Sequence, residues 1–413
     1  MEENSPKQEP PRVLKVLEAL KQASHDLQTH PSPDSDESNS SAIKALLELE
    51  TESDTILSKD PNLSTLSQLL SRLKTHVEAL QKSRAHHGLA SFVTRRVSTH
   101  SISRVAESIG TEIQAWIDRE RVESLTRALK ERKKAATPDK EDELVNLLTQ
   151  FEDRVSQGFN RELQDLVLKS KIFSFLESVL CDSSSPKRIR EQSAFVIVAL
   201  IRFNKDVFVG MVLMGPTIKA LITMSSTCSM KVLCGLIRSI KSPLVDEIES
   251  NGEIPRIINF LHCQDLQMRV LAFECVLEIG YFGRKEAIDA MLEEGLIEKL
   301  AELQRSELGG DLIGLERCND ESESDDEKRR EVSVGRLVLE RRRESGERRF
   351  LESHPFASCV ARFAVQLEVG EGLRQREKRA FKQQILVRVR LASMSDAEAA
   401  TILAEVLWGS SMI

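Results

Sequence analysis

Apolar residues recur at intervals of three and four along most of this chain, the spacing that places them on one face of an α-helix. The clearest set comprises Leu63, Leu66, Leu70, Leu73, Val77 and Leu80. A second set comprises Ile102, Val105, Ile109, Ile113, Trp116, Val122, Leu125 and Leu129. A separate helical pattern covers 12–28, and another begins at residue 42. From residue 42 onward, these patterns predict a helical bundle over 42–134. The segment before it, 1–41, is predicted to be partly disordered with one short helix.

The first of these apolar sets also has the spacing of a coiled-coil seam, since its members alternate steps of three and four. It ends after two and a half heptads, from Leu63 to Leu80. A seam that short favours a helix within the bundle over a coiled coil.

A further helix is predicted to begin at Thr137. The Thr137 hydroxyl suits the N-cap, Pro138 suits the first helical position, and Asp139 suits the positive end of the helix dipole. The apolar positions Leu144, Leu148, Phe151 and Val155 continue one face of this helix. Residues 135–165 are therefore predicted to connect the bundle to the rest of the chain.

Three similar segments begin with a glycine, at Gly215, Gly252 and Gly295, and these glycines lie 37 and 43 residues apart. Each segment contains a short apolar helix, a polar turn and a longer, strongly apolar helix. The long helices are predicted over 194–203, 230–240 and 268–282. A period near 40 residues with two or three helices per unit is typical of stacked helical repeats, which we predict over 166–306.

The repeat pattern stops at an acidic run, residues 316–331, which an arginine-rich stretch follows at 341–349. Low hydrophobicity and high charge density predict that 307–349 is a disordered acidic and basic insertion. Helical spacing resumes with Phe356, Val360 and Phe363. Residues 350–413 are therefore predicted to form one or two degenerate repeats that cap the array.

Composition limits the classes of function that fit this chain. A net charge of −7 argues against bulk nucleic-acid binding, so no nucleic-acid partner is expected. Seven cysteines scattered through apolar runs are typical of reduced thiols in a cytoplasmic or nuclear protein. The acidic, polar start of the chain is unlike a signal peptide, and no run of about 18 apolar residues predicts a transmembrane helix.

The signatures of common catalytic and metal sites do not occur in the sequence. There is no phosphate-binding loop, no nucleophile elbow and no His-Glu-x-x-His pair, and the Gly370-Glu371-Gly372 run lacks a third glycine. Histidines and cysteines do not fall into zinc spacing, as the isolated doublet His262-Cys263 illustrates. We therefore expect that the chain is not an enzyme and that it binds no cofactor or metal.

The run Gly-x-Ile-Pro-x-Ile-Ile-x-Phe-Leu at 252–261 resembles the second helix of an armadillo repeat. Small residues inside the long apolar helices, Ala194, Gly235 and Ala272, resemble the third helix, where neighbouring repeats approach closely. The resemblance implies an all-α fold, in which an N-terminal helical bundle precedes an armadillo-type superhelical solenoid. This combination is similar to plant U-box/armadillo ubiquitin ligases, but nothing here matches the U-box with its Cys-Pro-Ile signature.

The resemblance also implies where a partner would bind. Armadillo proteins hold an extended peptide on the exposed face of the third helices, which lines a concave groove. The polar residues predicted to lie there are Arg190, Gln192, Arg202, Asn204, Lys231, Arg238, Lys241, Arg269, Glu274 and Glu278. The resemblance therefore implies a protein-binding scaffold or adaptor. The first two long helices are net basic, which suits an acidic or phosphorylated segment of the partner.

Three alternatives stay open at this level. The same polar residues are equally consistent with a solvated face that binds nothing. A non-catalytic component of a ubiquitin-ligase pathway is the second alternative. The third is nuclear import or contact with a membrane surface through the basic stretches 130–134 and 341–349.

Overall fold

A computed structural model describes residues 21–22, 24–25, 64–84, 89–131, 138–310 and 350–408. None of these residues lies in a β-strand, so the all-α prediction is confirmed. The segments predicted to be disordered, most of 1–41 and of 307–349, lie outside the described residues, as does the basic stretch 341–349. The helices are α1 Ser64–Arg84, α2 Leu89–Glu131, α3 Pro138–Ser156, α4 Arg161–Ser170, α5 Ile172–Cys181, α6 Lys187–Phe203, α7 Lys205–Met214, α8 Thr217–Met224, α9 Thr227–Ile240, α10 Ser242–Ser250, α11 Ile254–Asn259, α12 Leu266–Phe282, α13 Lys285–Glu293, α14 Leu296–Arg305, α15 Cys359–Val369, α16 Gln375–Ala392 and α17 Asp396–Trp408.

The chain forms two compact units, the first from Met1–Lys140 with Phe159–Phe173 and the second from Glu141–Gly158 with Ser174–Ile413. In the first unit, α1 packs along α2 and buries Leu66, Leu70 and Leu73 completely. The apolar face predicted from 102 to 129 belongs to one helix, α2, which at 43 residues is about 65 Å long. Helix α4 packs on α2 and begins at Asn160, whose side chain accepts a hydrogen bond from the Leu163 amide at 2.8 Å.

The second unit is a stack of three-helix repeats. Helices α7, α8 and α9 form one repeat, α10 to α12 the next, and α13 to α15 the one after that. The third helices lie side by side, because α6 contacts α9, α9 contacts α12, α12 contacts α15 and α15 contacts α17. The predicted long helices over 194–203, 230–240 and 268–282 lie within α6, α9 and α12 and end where these helices end, but the helices begin seven, three and two residues earlier.

Polar contacts between repeats recur at one sequence offset. Gln192 reaches Glu152, Thr217 reaches Glu177, Arg238 reaches Glu278 and Lys299 reaches Asn259, and in every pair the residues lie 40 positions apart. The period near 40 residues inferred from the sequence is thus the register in which neighbouring repeats stack.

Small residues bring the third helices close together. A Cβ added to Gly280 of α12 would stand 3.0 Å from the Phe363 ring of α15, which is closer than an ordinary contact, whereas a Cβ added to Gly235 of α9 would make an ordinary contact at 3.5 Å with Val198 of α6. Ala194 and Ala272 are fully buried in α6 and α12. The residues that resemble an armadillo third helix, Ala194, Gly235 and Ala272, are therefore in the packed interior of the stack, and the tightest approach is at Gly280.

One repeat is divided by the long segment between α14 and α15. Elsewhere two to six residues separate a second helix from its third helix, whereas here residues 306–358 intervene. The ends of the segment lie together, because the Phe356 amide donates to the Leu308 carbonyl at 3.1 Å and the Ser358 amide donates to the Gly310 carbonyl at 2.8 Å. Helix α15 still packs on α12 and α14, so the stack continues past the segment.

A buried carboxylate also holds the two ends of this segment. Glu405 of α17 is 4% exposed and accepts hydrogen bonds from Gln304 Nε2 at 2.8 Å and from Ser358 Oγ at 2.6 Å. Gln304 belongs to α14 and Ser358 directly precedes α15. One side chain of the last helix therefore joins the point where the segment leaves to the point where it returns.

The last two helices continue the stack: α16 packs on α14, and α17 packs on α15. The Gly370-Glu371-Gly372 run lies in the connection between α15 and α16. Its amides at Glu371 and Gly372 donate to the Tyr281 carbonyl at 2.8 and 3.2 Å. A Cβ on Gly372 would stand 2.1 Å from the Gly283 carbonyl oxygen, so these glycines are needed for a close backbone approach.

The described helices include no single one that is both long and apolar enough to cross a membrane. Helices α7 and α8 reach that length and composition only as a pair, and the pair is bent by 68° at the break between them.

Candidate functional site on the third helices

Three cations converge on one face of α6 and α9. Lys231 lies four residues before Gly235 and Arg238 three residues after it, so both flank this glycine on the same face of α9. Arg202 reaches over from α6, and its Nη2 lies 3.4 Å from the position that a Cβ on Gly235 would occupy. We call Arg202, Lys231 and Arg238 the Gly235 cluster.

Arg238 of this cluster already has partners within the chain. Its Nε lies 2.6 Å from Glu278 Oε1, and its Nη2 lies 3.9 Å from Glu274 Oε2, both on α12. The hydrogen bond to Glu278 raises the pKa of the Arg238 guanidinium. Three of the predicted groove residues therefore form one charge network between neighbouring third helices.

Lys241 is engaged in the same way. Its Nζ lies 2.9 Å from Glu371 Oε2 and 5.5 Å from the centre of the Phe282 ring. Arg202 and Lys231, in contrast, form no ion pair with any residue that the structure describes, and both are exposed. Of the basic residues predicted on α6 and α9, Arg202 and Lys231 are thus the ones left for a ligand, and the Arg202 charge also partly offsets the burial that raises the pKa of the Glu152 carboxyl.

Three other predicted residues hold helices together. Arg190 Nε donates to the Leu180 carbonyl at 3.1 Å, which ties α6 to α5. Gln192 Nε2 donates to Glu152 Oε2 at 2.6 Å, and burial raises the pKa of the Glu152 carboxyl. Asn204 lies at the junction of α6 and α7, where its carbonyl accepts from the Phe208 amide at 3.3 Å.

Arg269 lies against an aromatic ring next to the long segment 306–358. Its Cζ is 5.7 Å from the centre of the Phe356 ring, and its buried Nε has no hydrogen-bond partner in the described part of the chain. Arg362 Cζ is 4.8 Å from the centre of the Phe273 ring, and the two rings meet edge to face at 6.3 Å. Sequence reasoning missed Phe356 and Arg362 here, because the intervening segment hides their position in the repeat.

Metal sites and clefts are the other kinds of site to consider. Within the described ranges, no three His, Cys, Asp or Glu side chains are grouped to hold a metal ion. The first unit has an open cleft of about 340 Å³, lined mainly by α2 and by polar side chains that include Lys21, His25, Glu107 and Asp118. The face of the third helices is therefore the candidate site with the most specific geometry.

No protein-family model matches the sequence, and a search of curated proteins finds no match. Among solved structures, the karyopherin Kap121p bound to the extreme C-terminus of the protein phosphatase Cdc14p is 14% identical, covers 98% of this chain and 38% of its own length, and has a TM-score of 0.40. A designed armadillo repeat protein in complex with the peptide (KR)4 is 15% identical, covers 70% of this chain and 98% of its own, and has a TM-score of 0.37. Likenesses of this degree assign no ligand to this chain, and none of them shows a relationship to plant U-box proteins.

Proposed function

We propose that this chain is a non-enzymatic protein-binding scaffold, and that a segment of its partner binds along the exposed face of the third helices. The observation that carries the proposal is the Gly235 cluster, where exposed cations from two neighbouring repeats converge on a glycine. The packed helices fix where these side chains attach, so binding mainly has to order the side chains themselves.

Anionic oxygens are the groups that the Gly235 cluster suits best. The guanidinium of Arg202 offers planar, paired donors to a carboxylate or phosphate, and Lys231 offers a compact charge one turn before Gly235. An acidic or phosphorylated segment of the partner is therefore the proposed ligand. Glu278 competes with it, because this carboxylate already occupies Arg238 at 2.6 Å.

Two variants test the face in opposite directions. The full chain is titrated with three extended fluorescent peptides of one design, which carry glutamate, phosphoserine or uncharged residues at the same positions. We expect Arg202→Glu with Lys231→Glu to weaken the glutamate or phosphoserine complex at least tenfold, about 1.4 kcal/mol. We expect Glu278→Gln to strengthen it, because Arg238 then loses its competing carboxylate.

The control is Lys219→Glu, which reverses an exposed lysine on the second helix α8 and should leave affinity unchanged. Equal binding of all three peptides, or no response to Arg202→Glu with Lys231→Glu, would contradict the proposal. A preference for one anionic peptide identifies the source of the negative charge.

The predictions about the ubiquitin pathway and about the location of the protein each have a separate test. Co-purification of ubiquitin-conjugating enzymes or ligase subunits with the full chain tests the ubiquitin-pathway alternative. Imaging the full chain, with and without substitutions in 130–134 and 341–349, tests a cytoplasmic or nuclear location and the proposed role of the basic stretches.

A further inference from the structure

Helix α16 exposes a second, different surface. Val387 and Leu391 lie one turn apart on α16 and are 58% and 78% exposed, and Met394, two residues beyond the end of the helix, is 84% exposed. The opposite side of the helix buries Phe381, Ile385 and Val389, and α16 packs there against α14 and α17. The helix therefore has apolar residues on two sides, and only one of these sides is covered within the described chain.

The cations of α16 divide in the same way. On its packed flank, Lys382 pairs with Glu368 at 2.9 Å and Arg388 lies 3.8 Å from Glu298. On the outward side, Arg376, Arg379 and Arg390 are exposed and form no ion pair with a described residue. At about 100° per residue, Arg379 and Arg390 follow one edge of the outward face, and Val387 and Leu391 follow the other.

We propose that this outward face of α16 binds an amphipathic helix of a partner protein. The apolar side of the partner helix packs on Val387, Leu391 and Met394, and acidic residues along its edge pair with Arg379 and Arg390. A helix is the occupant that suits the face because the described helices of this stack pack on one another, and side-chain ridges of two helices interdigitate at such contacts. The arginine edge supplies the charge complementarity.

A lipid surface suits this face less well. The apolar stripe on the helix, Val387 and Leu391, is only about 6 Å long, contains no aromatic residue and shares the face with Gln383 and Gln384. Helices that lie on membranes have a longer apolar side, usually with aromatic residues at the interface. The surface is also separate from the third-helix face, so either proposal stands if the other fails.

The probe is a designed helical peptide of about 18 residues with a leucine stripe flanked by glutamates, compared with the same peptide flanked by lysines. Fluorescence anisotropy with the full chain is expected to show at least tenfold tighter binding of the glutamate peptide. Arg379→Glu with Arg390→Glu should reverse this preference, and Leu391→Ser with Met394→Ser should weaken both complexes. Met214→Ser is the matched control, since it changes a methionine on α7 that is 92% exposed, and it should leave the affinity for both peptides unchanged.

Three results would overturn the proposal. The first is equal affinity for the two peptides, or affinity that Arg379→Glu with Arg390→Glu does not alter. The second is sedimentation of the chain with phosphatidylserine vesicles, lost in Leu391→Ser with Met394→Ser, without peptide binding. The third is a concentration-dependent dimer that the same variant abolishes, again without peptide binding. All substituted residues are exposed, so unchanged urea midpoints separate lost binding from lost folding.

Discussion

Removing the carboxylate of Glu405 tests whether one side chain holds the divided repeat together. In Glu405→Ala, Gln304 Nε2 and Ser358 Oγ lose the acceptor that they reach at 2.8 and 2.6 Å in a buried site. Leaving a buried donor without a partner costs about 1–3 kcal/mol. Two such donors, partly offset by removal of a buried charge, give an expected loss of about 2–4 kcal/mol in the free energy of unfolding.

Glu405→Gln separates the hydrogen bonds from the volume of the side chain. The amide oxygen can still accept from Gln304 Nε2, and its NH2 group can donate to the Ser358 hydroxyl, which also accepts. Both bonds are then kept without the carboxylate charge, so a smaller loss of about 1 kcal/mol is expected. Glu302→Ala is the control, because Glu302 is an exposed carboxylate on the neighbouring helix α14 and should change stability by less than about 0.5 kcal/mol.

The assay follows urea unfolding through Trp408, which lies three residues after Glu405 in α17. The chain has two tryptophans, so Trp116→Phe in every variant makes the signal report on this end of the stack. A local signal is needed because long repeat arrays do not always unfold as one unit. Midpoints for Glu405→Ala and Glu405→Gln that match the Glu302→Ala control would refute the role assigned to this carboxylate.

Three further changes probe other contacts. Gly372→Ala should destabilise the chain by about 1–3 kcal/mol, since its methyl group would stand 2.1 Å from the Gly283 carbonyl, whereas Gly210→Ala, with open space around it, should stabilise α7 slightly; urea midpoints compare them. Burial raises the pKa of the Cys359 thiol to about 12, so the stability it contributes is complete below its unfolded pKa near 9 and is lost as pH rises through 12; a Cys359→Ala variant with the same alkaline loss of unfolding free energy as the parent would contradict this. A double-mutant cycle on Arg238 and Glu278 should give a coupling of about 0.2–1 kcal/mol that falls with added salt, because both side chains are partly exposed; a coupling insensitive to salt would argue against a surface ion pair.

The interior repeats could be predicted because each one carries its own glycine and its own apolar long helix. Gly215, Gly252 and Gly295 precede or begin the second helices α8, α11 and α14, as their spacing indicated. The assignment of α15 as a third helix could not be made from the same pattern, because residues 306–358 break the period.

The candidate site was less accessible to sequence reasoning than the fold. Arg238 was predicted as a groove cation without the carboxylate that occupies it, although Glu278 lies one repeat period away, 40 residues on. The partners of Arg190 and Arg269 do not follow the repeat period. Arg190 meets the Leu180 carbonyl because of how α6 is turned against α5, and Arg269 meets the Phe356 ring because the chain returns there after the long segment. Periodicity carries the first kind of contact, but only packing reveals the second.

The backbone pairing at Leu308, Gly310, Phe356 and Ser358 has a consequence for the covalent continuity of the chain. Helix α15 is held between α12 and α17 by side-chain packing and by Glu405, whatever path joins residue 310 to residue 350. A single cleavage within 311–349 should therefore yield two fragments that stay associated and co-elute as one particle. The stack would then behave as a split protein. Its two halves could be expressed separately and would recombine where α15 packs on α12 and α14.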